Sequence, residues 1–308
     1  MSTIEFFLAG TFSAATVFLL AALGELIAEK SGMLNLGVEG MMAVAAAVGF
    51  IATYETGSHI LGFAFAGFAG ILVSLIFATV SITFLANQVA TGLAVGILGL
   101  GLSALLGREY ESLIISAPGG INIPLLSDIP LIGPILFQHN IVVYLTIVIG
   151  LTIAWCLKHT RLGLAIRSVG ENPNAAQALG YPVQLIRYSA VAFGGLMAGF
   201  AGAYASTIYT PLWADGMIAG RGWIAVALVV FGTWKTGRIM VGAVLFGFVS
   251  LGELVVQSLS IAIPSQLLAS MPYIVTIVVL SVISINAARL RLHAPYALGE
   301  TYDGSEPG

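Results

Sequence analysis

Residues 158–187 read KHTRLGLAIRSVGENPNAAQALGYPVQLIR, a basic, polar interval set between two long apolar runs. Lys158, Arg161, Arg167 and Arg187 crowd it. Within it Asn172 is a good N-cap, Pro173 occupies the first helical position, Ala175, Ala176 and Gln177 propagate a turn or two, and Gly180 stops the helix. The stretch predicts a short exposed helix between two apolar segments. Such a helix has little apolar surface to bury within its own chain, so its expected role is to insert into another protein; the alternative is a well-capped surface loop.

The 308-residue chain around this interval is 58% apolar and only 8% charged, with a mean hydropathy of +1.02. A soluble domain carries about a quarter charged residues and cannot hide so much apolar surface from water. The chain belongs in a bilayer. About 180 apolar residues, at about 20 per helical crossing, supply about nine spans and leave no room for a soluble catalytic, receptor or nucleotide-hydrolysing domain. Any motor or soluble recognition must come from partners. The single cysteine, Cys156, permits no disulfide within the chain. No Lys or Arg precedes the first apolar run, which carries Glu5 at its start, so that run is expected to be a retained span rather than a cleaved signal peptide.

Apolar runs fall at 6–23, 40–53, 60–86, 88–106, 141–157, 188–208, 223–234, 239–257 and 272–287. They are continuous, without the alternation of membrane β-strands, and predict an all-α polytopic membrane protein with about nine transmembrane spans. The basic residues of 158–187 place that linker in the cytoplasm, and parity then fixes every other loop. Lys30, Lys235, Arg238, Arg289 and Arg291 join the inner side, leaving Arg108 and Arg221 outside, nine against two. The expected organisation is a transmembrane domain over 1–290 with its N-terminus outside, an outer loop at 107–140, the cytoplasmic segment at 158–187, and a disordered cytoplasmic tail at 291–308 rich in Gly, Pro, Ser and acids. The outer loop, rich in Pro and Gly, reads equally as a cap on the bundle and as a receiver for a soluble partner. Small residues four apart, Gly92 with Gly96, Gly195 with Gly199 and Ala66 with Gly70, read as sites of close helix approach.

Two runs are short. The 14 residues of 40–53 reach about 21 Å as a helix and the 12 of 223–234 about 18 Å, against a hydrocarbon core of about 30 Å. Each follows a polar, Gly-rich stretch, SGMLNLGVEG (31–40) and DGMIAGRG (215–222). Both are expected to enter the membrane as broken backbone, which only protein or a water-filled cavity tolerates. By parity they are the second spans of two halves and run in opposite directions, the pattern of inverted-repeat halves with a transport pathway between them. Asn35, Glu39 and Arg221 are then candidates to line that pathway near the half-helix ends; the alternative is that they cap ordinary short helices at the interface. Asn87 and Gln88, at an inner turn, read equally as helix caps and as solute contacts. Tyr204, Tyr209 and Trp213 are aromatic candidates for stacking on a solute. Glu25 and Glu253 are acids in spans, but the four histidines sit at loops or ends, so no proton relay is evident. Paired catalytic carboxylates, metal-ligand spacing and a nucleophile with a base are all missing from the sequence, which speaks against an enzyme and against a metal site.

The run GLAIRSVGENPNAAQALG followed by RYSAVAFGGLMAGFAGA resembles the cytoplasmic coupling segment and next helix of the membrane subunits of ATP-binding cassette importers of the ribose and branched-chain amino acid class. EKSGMLNLGVEGMM and GRGWIAVALVVFG are more similar to the subgroup associated with nucleosides and simple sugars; Tyr181 and the TWKTGR stretch depart from its pattern. The resemblance spans residues 5–287 and implies an importer in the bacterial inner membrane. It implies a second, related permease subunit, cytoplasmic ATPase subunits that hold the ATP and Mg, an extracytoplasmic solute-binding protein, lipid as surroundings and no nucleic acid. Asn172, Pro173, Ala175, Ala176 and Gly180 would belong to the helix that docks in the ATPase. The chain itself would bind no cofactor, in keeping with its lack of a phosphate-binding Gly-x-x-x-x-Gly-Lys-Ser/Thr loop. The implied solute is a nucleoside, with a pentose, a hexose or another small polar solute such as riboflavin as alternatives; a secondary transporter is the reading from another class.

Overall fold

The computed structural model describes residues 3–121, 124, 127, 129, 132–258, 264–284 and 294–303. The described residues form helices throughout, in the order α1 (Thr3–Lys30), α2 (Val38–Thr56), α3 (His59–Ala78), α4 (Gln88–Gly107), α5 (Ile132–Leu136), α6 (Ile141–His159), α7 (Arg161–Glu171), α8 (Pro173–Ala178), α9 (Val183–Tyr204), α10 (Arg221–Phe231), α11 (Thr236–Ser258), α12 (Ser265–Ala269) and α13 (Met271–Ser284). Single π-helical turns continue α3 and α9, over Thr79–Thr83 and Ala205–Tyr209.

Among the described residues seven helices, α1, α2, α3, α4, α6, α9 and α11, are long and apolar enough to cross a membrane. The two remaining apolar runs become α10 and α13, which are shorter. One expectation is corrected. The helix of the second run is longer than the run itself: α2 takes Val38 and Glu39 at one end and Tyr54–Thr56 at the other, reaching 19 residues or about 28 Å. Hydropathy undercounted it because it contains polar residues whose partners lie elsewhere in the bundle. The seventh run is short as read, since α10 has 11 residues or about 16 Å.

The core joins close backbone approach to buried large side chains such as Phe77 and Phe246. α3 packs on α9, α1 on α9 and α11, and α2 on α3, α4 and α9. A methyl group placed on Gly70 would strike the carbonyl oxygen of Gly195, and one on Gly195 would strike that of Gly70. A methyl on Gly199 would lie 2.5 Å from the carbonyl of Ala66. The small-residue pairs on α3 and α9 therefore face each other. Without a hydrophobic drive between helices in lipid, such contact supplies the packing. Gly92 meets the backbone at Leu36 and Gly37, and Gly99 meets that of Gly40, so α4 presses the same kind of stripe against the start of α2.

The segments that parity assigns to one side gather at one end of the bundle. The end of α1 touches α7, where a methyl on Gly170 would strike the Lys30 carbonyl. At the other end Ser112 and Ile115 donate to the carbonyls of Trp213 and Pro211, and His59 and Asn140 bond the loop carbonyls of Ser116 and Pro118. The described part of the 107–140 loop thus lies on that end. Burial lowers the affinity of the His139 imidazole there for its proton, against the opposing effect of the Ile135 carbonyl.

The acidic, Gly-rich composition of 291–308 reads as disorder, but residues 294–303 are packed. Ala297 and Tyr302 are buried, and Tyr302 joins a cluster with Val169, Ala176 and Val183. Composition misses this because its partners, on α7, α8 and α9, lie more than a hundred residues away in sequence. Arg289, Arg291 and Glu306, used in the charge argument or in that composition, fall outside the described residues.

Candidate functional site: a half-helix junction and a capped helix

Residues 210–220 leave α9 and run without regular helix down the side of α2. Trp213 is buried beside Ala47 and Phe50 and against Gly107. Ala214–Ile218 lie beside Ala43 and Ser103, and Gly220 reaches Glu39. The chain then turns into α10 through Ala219 and Gly220, whose φ values are positive at 20° and 80°. The Glu39 carboxylate closes this turn, accepting from the amides of Gly220 at 2.5 Å and Gly222 at 2.7 Å. These are amides that the first turn of a helix leaves without intrahelical partners. A carboxylate at that position also meets the positive end of the helix dipole.

The depth of the junction follows from α4, a 20-residue helix of about 30 Å. A methyl on Gly40 would lie 2.6 Å from the Gly96 carbonyl and 2.7 Å from that of Val95. Glu39 therefore sits near the middle of α4. From that level α2 runs toward one end of the bundle and α10 toward the other, where Trp234 donates its indole N–H to Glu29 at 2.5 Å. Around the junction, the Arg221 guanidinium carbon lies 5.6 Å from the centroid of the Tyr209 ring. Its charge is felt by both Glu39 and Glu253. The Tyr273 hydroxyl of α13 faces the Ala219 carbonyl at 3.5 Å.

Of the five residues proposed from sequence for the pathway, the structure brings Glu39 and Arg221 together. Asn35 is buried and closes the turn before α2, accepting from Gly37 N–H at 2.9 Å, while its own amide donates to Glu25 at 3.0 Å. Asn87 caps α4 by accepting from Ala90 N–H at 3.0 Å. Gln88 is buried, accepts from Leu34 N–H at 2.8 Å and donates to the Glu300 carbonyl at 3.0 Å. Tyr204 and Trp213 are buried in this structure, and Tyr209 is half-buried under Arg221. Glu253 accepts from Gln257 at 3.2 Å.

Sequence reasoning missed Glu29. It is fully buried on α1, one turn beyond buried Glu25. The signal was their four-residue spacing, which puts both acids on one face. It also missed the turn that supplies the partner: Thr233 and Trp234 both have left-handed φ, 48° and 53°.

The second feature is the capped helix. The Asn172 side chain accepts from Ala175 N–H at 2.9 Å and Pro173 opens α8. At the far end Gly180 has φ 85°, its N–H reaches the Gln177 carbonyl at 2.8 Å, and Tyr181 N–H reaches the Ala176 carbonyl at 3.0 Å. This pair of bonds is the Schellman closure. Asn172, Ala175 and Gly180 are exposed, and Ala176 faces inward. Leu179, which the sequence reading passed over, projects with 76% of its surface exposed. The helix is preceded by α7, whose buried Gly163, Ala165, Val169 and Gly170 hold it to the bundle.

The family described as "Branched-chain amino acid transport system / permease component" matches residues 7–284. The chain is 40% identical to a putative glucose ABC transporter permease protein of Haloferax volcanii, covering 95% of this chain and 96% of that one. It is 35% identical to a guanosine ABC transporter permease protein of Bacillus subtilis, covering 87% and 88% of the two chains. It is 31% identical to a nucleoside ABC transporter permease protein of Lactococcus lactis, covering 91% and 93%. No solved structure matches.

Proposed function

The chain belongs to the permease family of branched-chain amino acid transport systems, and from this premise we propose that it forms half of the translocation pathway of an ATP-driven nucleoside importer. It is a multi-pass membrane protein and an ABC permease subunit, a transport component rather than an enzyme. A second related permease completes the pathway, an extracytoplasmic binding protein delivers the solute, and cytoplasmic ATPase subunits hold the nucleotide and its Mg. The N-terminus lies outside the cytoplasmic membrane and the C-terminus inside.

The observation that carries the reading is the Glu39 junction. It supplies a buried half-helix end at mid-depth, the element transporter folds use to break a span where solute passes. Non-helical residues 31–37 and 210–220 precede α2 and α10, and the two helices leave one level in opposite directions. That opposition supports inverted-repeat halves, with α10 and α13 completing nine crossings. α8 is the coupling helix: Asn172, Pro173 and Gly180 fix its ends, Ala176 seats it, and Ala175 and Leu179 enter a groove of the ATPase. When the ATPase pair closes, the push on α8 rocks the permeases about their interface. Asn35, Asn87 and Gln88 hold the backbone that Glu39 and Arg221 depend on.

Relatives named for guanosine and for nucleosides support a nucleoside. A simple sugar is the second reading, favoured by the 40% identity to the putative glucose permease. The test is uptake by the complete importer in proteoliposomes, with labelled nucleoside or glucose. ATP-dependent nucleoside uptake that glucose does not compete is expected. Glucose uptake unaffected by nucleosides moves the solute to the second reading, and uptake by the chain alone under an ion gradient overturns the importer.

A further inference from the structure

Residues 297–302 bridge five separate elements. Ala297 N–H donates to the Gly170 carbonyl of α7 at 2.9 Å, and Gly299 N–H to the Gly32 carbonyl at 3.1 Å. The Glu300 carbonyl accepts from Gln88 of α4 at 3.0 Å and from Arg187 of α9 at 3.3 Å. The Tyr302 hydroxyl donates to the Gln177 side chain of α8, and its ring packs with Val169, Ala176 and Val183. The Arg187 guanidinium lies 5.6 Å from the centroid of that ring.

The receiving surfaces are shaped for this contact. Gly32 has φ 88°, and a methyl there would lie 3.1 Å from both the Ala297 carbonyl and an Arg187 nitrogen. Arg187 is buried, and the backbone carbonyl and the Tyr302 ring that meet it both come from the strap. A buried guanidinium is costly unless it is partnered, and these partners of Arg187 come from the strap.

We propose that this C-terminal strap is the brace through which the coupling helix moves the pathway, with Tyr302 and Arg187 as its positioning residues. The proposal rests on α8 being the ATPase-docking helix. Tyr302 holds α8 from behind, on the face opposite the exposed Ala175 and Leu179. A displacement of α8 is carried by Tyr302 and Glu300 to the start of α9, to Gln88 and to Gly32. Gly32 opens the non-helical backbone that leads to Glu39. The brace therefore joins the motor contact to the half-helix junction without passing through the α8–α9 connection alone.

The experiment uses the complete importer in proteoliposomes, reading ATPase recruitment, ATP hydrolysis and solute taken up per ATP. Tyr302→Ala is expected to recruit ATPase normally and to lose about tenfold in uptake per ATP, within the range coupling free energies span. Tyr302→Phe, which keeps the ring beside Arg187, is expected to restore most of it. Arg187→Met keeps the apolar stem and is the second variant, expected to lower the same ratio with the fold intact. Unchanged uptake per ATP in assembled Arg187→Met or Tyr302→Ala overturns the brace, and so does a loss of ATPase recruitment that accounts for the whole defect. Failure of the unsubstituted chain to recruit ATPase strikes the importer reading itself and is seen before any variant is compared.

Discussion

Glu39 and Gly220 are 181 residues apart in sequence, and the carboxylate oxygen of one lies 2.5 Å from the amide nitrogen of the other. A buried acid caps the start of a helix in the middle of a bundle. Both oxygens are committed, one to Gly220 and one to Gly222, so the site depends on the full carboxylate and not only on its charge. Gly222 has to be glycine, because a methyl there would lie 2.5 Å from the Glu39 Cα.

Replacing Glu39 with Gln tests this directly. The amide keeps one acceptor and turns the other position into a donor facing a backbone N–H. A buried amide left unpaired costs about 1–3 kcal/mol, and the lost charge at a helix N-terminus up to about 2 more. Glu39→Gln is expected to lower the melting temperature in detergent and to reduce uptake by the importer more than tenfold at equal expression, about 1.4 kcal/mol or more of transition-state stabilisation. Uptake matching the parent would make the junction a structural cap only.

The close approach of α3 and α9 makes an opposite pair of predictions for two glycines. Gly195→Ala forces a methyl into the Gly70 carbonyl and the Ser74 side chain, and backbone cannot yield cheaply. Overpacking of this kind costs about 1–3 kcal/mol. Gly101→Ala on α4 meets nothing within 4 Å and replaces the weakest non-proline helix former with the strongest, a gain of roughly 0.5–1 kcal/mol. Unfolding of the two variants by denaturant in mixed micelles should bracket the parent. A neutral Gly195→Ala would mean that the helices are free to separate.

That contact was legible in the sequence because lipid leaves helices few ways to associate, and four-residue spacing of small side chains is one of them. The cap and stop of α8 were legible for a similar reason: Asn172, Pro173 and Gly180 act on their own neighbours. The junction was legible only in part. Short apolar runs beside Gly-rich stretches marked Glu39 and Arg221, but the same argument shortened α2, since hydropathy cannot know that Glu39 is paired across the bundle. The pairings of Glu29 and Tyr302 were invisible because their partners, Trp234 and Gln177, are 205 and 125 residues away. Gly, Pro and acidic composition predicts weak burial on average, and a single tyrosine seated in a ready cluster defeats the average.

The exposed face of α8 carries the third prediction. Leu179→Asp alters a side chain that touches little of its own chain, so the stability is expected to stay within about 0.5 kcal/mol of the parent. ATPase recruitment, measured by co-purification, is expected to fall sharply. Asn172→Ala removes the cap, at about 1 kcal/mol of helix stability, and is expected to weaken recruitment less. Full recruitment by both variants would move the docking surface away from α8.

The last prediction concerns the tie between α1 and the turn after α10. Trp234 donates its indole N–H to Glu29, which is wholly buried. The two partners are not equivalent. Trp234→Phe keeps a ring but leaves the buried Glu29 side chain without that donor, whereas Glu29→Gln keeps an acceptor for the indole. Leaving a buried acceptor without its donor costs about 1–3 kcal/mol, and exchanging the Glu29 side chain for an amide that still accepts costs less. Trp234→Phe should therefore be the more destabilising of the two in chemical denaturation. Glu29→Gln in the Trp234→Phe background should cost less than the two single losses added together, because the bond between the two residues can be lost only once. A double variant as unstable as the sum of the singles would show that the two residues do not act on each other.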